Sequence, residues 1–385
     1  MRFDFVKPLL VWYNENARDL PWRRVKDPYL IWVSEIMLQQ TRVEAVMGYY
    51  ERFTGALPTV TDLAVCPEDR LLKLWEGLGY YSRARNMQKA ARIVCESYAG
   101  KMPESAADLM KLPGIGEYTA GAISSIAFGQ AEPAVDGNVL RVVARIEAIS
   151  DNILSESVKK KIREELRSLY DADDGTWGLL NQAFMDLGAG VCLAGGSPRC
   201  EICPISSYCR CFEKGLQSEL PVRIKKQKRR IEKRTVLLLR RDESYAIRKR
   251  PESGLLSGLY EFPNEAGDLN PDEALAKAGS LGLMPLRIRK LSEAKHIFSH
   301  VEWHMTGYEI LVAPSEFSGG NGADTPAPET ASEGELLIFA APEIIESKYP
   351  IPSAFEKYAK MINIRTGKKR EELTYENIDR RDTEL

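Results

Sequence analysis

The sequence predicts a multi-domain protein in which an all-α domain is followed by a smaller α+β domain. Three observations point there. Up to about residue 220, apolar residues recur at helical spacing in stretches separated by short Gly, Pro or Asp/Ser turns. Beyond that point the pattern breaks into short strand-like runs. Between the two regions stands a basic connector, Pro221-Val222-Arg223-Ile224-Lys225-Lys226-Gln227-Lys228-Arg229-Arg230. The expected organisation is a helical domain over 1–220, a linker over 221–232, a second domain over 233–362 and a polar tail over 363–385.

Asp27-Pro28 reads as a helix start, an N-cap acid followed by Pro in the first turn, and Tyr29–Leu38 continues it with apolar residues. Further helices are expected around 42–53, 68–76, 82–99, 104–111, 117–128, 138–149, 155–170 and 176–190. Strands are expected at 235–239, 245–248, 259–262, 286–291, 303–312 and 335–339, with helices from Pro271 and over 353–362. Residues 314–334, rich in Gly, Ser, Pro and acids, read as a loop.

Composition excludes several classes. With 44% hydrophobic and 28% charged residues, the chain resembles an ordinary globular protein. No apolar run approaches the roughly 18–20 residues of a membrane span. The N-terminus lacks a small-residue cleavage site, so an intracellular protein is expected. Seven cysteines, four of them clustered, do not make a secreted disulfide scaffold. The net charge of −2 hides an asymmetry, +3 over residues 1–230 against −5 over the remainder. That value neither requires nor excludes a nucleic-acid partner.

Cys192, Cys200, Cys203 and Cys209 fall within 18 residues, a pattern for a metal or cluster site. One close pair with two outliers favours a [4Fe–4S] cluster over zinc. Cys211 leaves a second four-thiol set open. Leu112-Pro113-Gly114-Ile115-Gly116 joins two helices, and Gly114 and Gly116 would let the backbone and a fresh helix start approach a DNA phosphate. Glu35 lies in the apolar run 31–38, where desolvation would suit a general acid; a solvent-facing Glu is the alternative. Asp136 precedes a helix, as an N-cap that would keep it ionised. One protonated and one ionised carboxyl is an arrangement that glycosidic cleavage uses.

Together with Leu20-Pro21-Trp22-Arg23, Ser34 to Thr41, Gly77 to Arg83, Val135 to Asn138 and Phe298-Ser299-His300, these motifs resemble the adenine DNA glycosylases of the MutY family, over about 1–362. The resemblance implies a helix-hairpin-helix glycosylase domain with an Fe–S cluster loop, followed by a Nudix-like domain. It implies base-excision repair, with removal of adenine mispaired with 8-oxoguanine or guanine. Carried over, Glu35 protonates adenine. Asp136 stabilises the oxocarbenium-like sugar, with a covalent adduct left open, and Tyr118 and Asn138 assist. Arg18 and Gln182 match contacts to the flipped base. Gln40 and Tyr80 match residues that wedge into the stack, and Arg23, Thr41 and Leu78 belong to the same DNA-binding motifs. Phe298, Ser299 and His300 match the lesion reader.

The endonuclease III type is the alternative, a bifunctional glycosylase/lyase on oxidised pyrimidines. It has Lys at the Tyr118 position and an apolar residue at that of Glu35, so a monofunctional enzyme is expected. The C-terminal domain lacks the Arg-Glu-x-x-Glu-Glu pattern of a working Nudix hydrolase. His296, His300 and His304 lie among loop- and strand-like residues and are not expected to bind metal. The expected partner is duplex DNA holding the mispair, with no membrane, a monomeric chain, and a sliding clamp or mismatch-repair protein as the protein partner to seek. The expected location is the bacterial cytoplasm, at the nucleoid. The spacing of seven residues between Cys192 and Cys200 exceeds the family's six, and the addition falls at Gly195-Gly196.

Overall fold

Asp27 starts the helix that the sequence predicts from it. Its Oδ1 accepts from the N–H groups of Tyr29 at 2.8 Å and Leu30 at 3.2 Å, and Pro28 fills a first-turn position that needs no donor. The computed structural model describes residues 3–169, 176–194, 197–224, 229–251, 253–314, 329–330 and 336–366. Gly195-Gly196, Lys225–Lys228, most of the expected 314–334 loop and the tail from Gly367 lie outside them. No helix among the described residues is long and apolar enough to cross a membrane. The chain forms two units. One is drawn from Met1–Cys66 and Ser82–Gln227, the other from Pro67–Tyr81 and Lys228–Leu385.

The first unit is helical: α1 (Val6–Asn16), α2 (Pro28–Leu38), α3 (Val43–Ala56) and α4 (Val60–Val65) come before residue 67. After α5 (Glu68–Leu74), which belongs to the other unit, it resumes with α6 (Ser82–Ser97), α7 (Ala106–Leu109), α8 (Glu117–Phe128), α9 (Gly137–Ile146), α10 (Glu156–Leu169), α11 (Trp177–Gly190) and α12 (Arg210–Glu213). Helix α11 packs against α1, α8 and α9. Phe5, Leu9, Val143, Phe184 and Leu187 fill the core there. The expected helix over 104–111 is shorter, because Ser105 caps it and it ends at Leu109, before the Pro-Gly turn. In that turn Gly114 has φ +81, and a Cβ there would lie 2.8 Å from Asn86 Cβ, so glycine is required.

The second unit is built on a mixed sheet. Its strands are β1 (Arg230–Arg241), β2 (Ser244–Lys249), β3 (Tyr260–Glu261), β4 (Asn264–Ala266), β5 (Pro285–Ile297), β6 (Val301–Val312), β7 (Glu329–Thr330) and β8 (Leu336–Ala340). The order is β5-β6-β1-β2-β8-β7, with β3 on β2 and β4 on β1. Among the described residues only the β1–β6 pair is parallel, in register from Arg230 opposite Val301 to Arg240 opposite Leu311. Both faces are covered, which is why Val236–Leu239 is apolar throughout. Val236 and Leu238 face α14 (Pro342–Lys348), α15 (Glu356–Met361), Trp303 and Phe355; Leu237 and Leu239 face α13 (Pro271–Ser280).

Two boundaries differ from the sequence reading. Strand β1 begins at Arg230, so residues 230–232 are paired strand, not linker. Residues 67–81, expected in the helical domain, belong to the second unit. The ammonium of Lys73 donates to the Tyr349 carbonyl at 3.3 Å and pairs with Glu76 at 2.7 Å, and Glu76 accepts from the Ile351 N–H at 2.9 Å.

Candidate active site

Helix α2 buries nearly its whole surface, Ile31 to Met37, and Glu35 lies in that stretch at 4% exposure. Its carboxylate oxygen Oε2 accepts a 2.7 Å hydrogen bond from the Tyr118 hydroxyl on α8. Burial pushes Glu35 up to about 7; the Tyr118 bond opposes this, the negative charge of Asp136 adds to it, and Arg23 opposes it. Burial raises Tyr118 well above its ordinary value, so it stays a donor.

Asp136 caps α9. Its Oδ1 accepts from the N–H groups of Asn138 and Val139, both at 2.8 Å, and its Oδ2 accepts from the Asn138 side-chain amide at 2.8 Å. Burial raises its pKa as well, but these three donors and Arg141 oppose the rise. Of the two carboxyls, Asp136 is therefore the one built to stay ionised and Glu35 the one built to hold a proton.

Both carboxyls line a cavity of about 560 Å³ in the first unit, which is room for a nucleobase. Arg18, Arg23, Gln40, Thr41, Tyr118, Asn138 and Gln182 line it too. Gln40 sits at φ +61, in the turn that follows α2. That turn is held by Arg83, whose Nη1 donates to the carbonyls of Ile36, Met37 and Gln39 at 2.7, 3.0 and 2.7 Å.

Three residues of this neighbourhood were not picked out by sequence reasoning. Asp186 is buried and receives Arg18 Nε at 2.7 Å and both terminal nitrogens of Arg23 at 2.6 and 2.8 Å. Burial alone would raise its pKa, but the two arginines outweigh burial and hold it below the usual carboxylate range. Tyr13 donates to Gln182 Oε1 at 3.2 Å. Arg141 donates to Asn138 Oδ1 at 2.9 Å, to the Gly188 carbonyl at 2.7 Å and to the Cys192 carbonyl at 2.8 Å. A Cβ on Gly188 would lie 2.7 Å from Asn138 Cβ, so α11 can approach α9 only through a glycine here. The available signal was helical spacing, since Asp186 is one turn beyond Gln182 and Arg141 three residues beyond Asn138.

Other expected residues lie elsewhere. Gly114 and Gly116 form the hairpin turn and do not line the cavity. In the second unit, Tyr80 is 46% exposed at φ +47, whereas Leu78 is 6% exposed, packed inward rather than presented at the surface. Phe298 stacks edge-on against Trp303, with centroids 5.0 Å apart, and its N–H closes the turn onto the Val301 carbonyl at 2.8 Å. Ser299 and His300 are exposed at the tip, Oγ to Nδ1 3.3 Å.

Cys192, Cys200, Cys203, Cys209 and Cys211 line one small cavity of about 30 Å³ in the first unit. Arg145 Nη1 lies 3.3 Å from Cys192 Sγ and 2.9 Å from the Leu193 carbonyl. Burial pushes the Cys203 thiol up to about 11. Among the described residues no three His, Cys, Asp or Glu side chains are arranged to hold a single metal ion. Five thiols gathered around one cavity are donors of the kind that an Fe–S cluster takes. Beside these thiols, Arg210 is paired with Glu147 at 2.7 Å.

A family model of the HhH-GPD superfamily of base excision DNA repair proteins matches residues 33–168, and a NUDIX domain model matches 235–361. The chain is 37% identical over 366 residues to the adenine DNA glycosylase of Mus musculus, covering 80% of this chain and 70% of the relative. It is 36% identical over 367 residues to that of Arabidopsis thaliana, covering 81% of this chain but 57% of the relative, which is much longer. It is 36% identical over 324 residues to that of Buchnera aphidicola, covering 82% of this chain and 89% of the relative.

Proposed function

The chain belongs to the adenine DNA glycosylases, and on that footing we propose that it excises adenine facing 8-oxoguanine or guanine in duplex DNA, hydrolysing the N-glycosidic bond and leaving the strand uncut. The observation that carries this reading is the pair of buried carboxyls in one base-sized cavity, only one of them bonded as an anion.

The adenine must first leave the helix, because its glycosidic bond is inaccessible in the stack, and a mispair costs less to open. Gln40 fills the gap, and Arg18 and Gln182 meet the base. The Glu35 proton passes to adenine N7. The C1′–N9 bond then breaks and its electron pair leaves with the base. The carboxylate of Asp136 balances the positive charge that develops on the sugar. Water adds to C1′ and returns a proton to Glu35. Tyr118 bonds to the acid and has no amine for a Schiff base, so no lyase step follows.

Cys192, Cys200, Cys203 and Cys209 would hold a [4Fe–4S] cluster, which supplies a structural anchor for the loop between α11 and α12. Arg141 ties that loop to Asn138 through the Cys192 carbonyl. Ser299 and His300 would read the lesion, since a hydroxyl can accept from the N7–H of 8-oxoguanine and donate to its O8.

The test is single-turnover release of adenine from duplexes with A opposite 8-oxoguanine, G, C or T. Fast release from the first two supports the reading. Equal rates on all four, or release of an oxidised pyrimidine instead, would overturn it.

A further inference from the structure

Trp303 stands at the centre of a charge arrangement that excision does not use. It is 1% exposed, yet two guanidinium groups lie over its ring, Arg234 at 4.5 Å and Arg250 at 6.0 Å from the centroid. Its indole N–H donates to Glu232 at 3.0 Å, and Glu232 also pairs with Arg230. Glu261, 2% exposed, pairs with Arg248 at 3.0 Å and with Arg250. Arg230, Arg248 and Arg250 thus each have a carboxylate partner among the described residues.

Among the described residues Arg234 forms no ion pair. Its Nε donates to a neutral amide oxygen, Asn264 Oδ1, at 3.0 Å. Among the described residues its two terminal nitrogens meet no acceptor. Burial lowers its pKa; Glu261 and Glu232 oppose that, while Arg250 and Arg248 add to it. Half-buried cations ordinarily acquire a counter-charge.

We propose that Arg234, with Arg250 beside it, forms an anion site for a phosphate group. The Trp303 ring lies under the guanidinium, and Asn264 fixes its Nε. The remaining edge then offers two parallel N–H donors, the fork that matches two phosphate oxygens. The site adjoins the lesion-reading turn. Strand β1 pairs Arg230 and Glu232 with Val301 and Trp303, and the Arg230 N–H bonds to the His300 carbonyl at 3.1 Å. The phosphate that would reach this place is a backbone phosphodiester of the bound duplex, an assignment that rests on the duplex reading above. A free nucleotide carries the same chemistry, and the test separates the two.

The full chain is used, in a Glu35→Gln background so that the duplex is not consumed. Affinity for a duplex with A opposite 8-oxoguanine is measured against salt for Arg234, Arg234→Gln and Arg234→Lys. Losing one phosphate contact lowers the slope of log K against log salt by about 0.9. Between 50 and 200 mM salt the ratio of the two affinities should therefore shift by about 3.5-fold for Arg234→Gln. Arg234→Lys keeps the charge and the slope but loses the fork, so it binds more weakly at every salt concentration. In a second arm, deoxyguanosine triphosphate is titrated by calorimetry. Binding that depends on Arg234, with an unchanged duplex slope, keeps the phosphate site and assigns it to nucleotides. If neither the slope nor nucleotide binding depends on Arg234, the proposal fails. It fails also if Arg234→Lys binds both the duplex and the nucleotide as tightly as the parent, which stays decisive even if the Gln variant does not fold. Adenine release by the unsubstituted chain is read separately, so loss of the duplex reading is told apart from loss of this site.

Discussion

Replacing Glu35 by Gln should abolish most of the activity and, at alkaline pH, stabilise the protein. Gln keeps the shape and can still accept from Tyr118, but it can neither donate a proton as an acid nor ionise. General acid catalysis contributes about 10²–10⁴-fold, so single-turnover adenine release should fall by that factor or more. The stability effect follows from burial. An unfolded Glu has its ordinary value near 4.5, and the folded one sits at about 7. Folding therefore favours the protonated form. That contribution is complete below pH 4.5 and is lost as pH rises through 7. A shift of about 2.5 units corresponds to roughly 3 kcal/mol when fully expressed, near pH 8, and to less than about 1 kcal/mol at pH 5. The Gln variant has no such loss, so its stability advantage over the parent should widen by about 2–3 kcal/mol between pH 5 and pH 8. For a domain of this size that is roughly 5–10 °C in Tm. Thermal unfolding of both proteins at the two pH values reads the first quantity, and adenine release the second. A Tm difference that does not change with pH would refute the buried-acid argument, and near-normal release by the variant would refute the catalytic one.

The remaining predictions concern the groups around this acid, the cluster and the lesion reader. Tyr118→Phe removes a bond that holds Glu35 down, so the alkaline limb of the pH–rate profile, expected near 7, should move to higher pH. Borohydride should trap no adduct with the unsubstituted protein, whereas Tyr118→Lys should introduce strand nicking, seen on a denaturing gel. The purified protein should be yellow-brown with absorbance near roughly 400 nm and about four irons per chain; Ser at 192, 200, 203 or 209 should lose iron, and Cys211→Ser should keep it. Asp186→Asn leaves Arg18 and Arg23 without their anion and should cost about 3 kcal/mol in chemical denaturation. Ser299→Ala with His300→Ala should narrow the preference for A opposite 8-oxoguanine over A opposite G by roughly 5- to 150-fold in relative affinity.

What the sequence determined by itself are features set by neighbours along the chain. Asp27-Pro28, Asp136 and Asn270-Pro271 each start a helix because an acceptor side chain lies within three residues of the donors it satisfies. The Pro-Gly-x-Gly turn, the cysteine spacing and most strand positions were legible for the same reason. The motifs around Glu35, Tyr118 and Asp136 named the residues that meet in one cavity. The tertiary structure alone decided whatever depends on distant segments. The parallel pairing of β1 with β6 joins residues about seventy positions apart, and no local pattern marks it. Residues 67–81 look like one more helical stretch, yet Lys73 and Glu76 bond to Tyr349 and Ile351. Leu78, in the motif Gly77 to Arg83, is buried. Glu35 could have faced solvent. Its affinity for a proton rises because the packed unit removes water from it and Asp136 adds negative charge, against a single bond from Tyr118 and the pull of Arg23. Desolvation is a property of packing, and a sequence shows it only once the chain is folded.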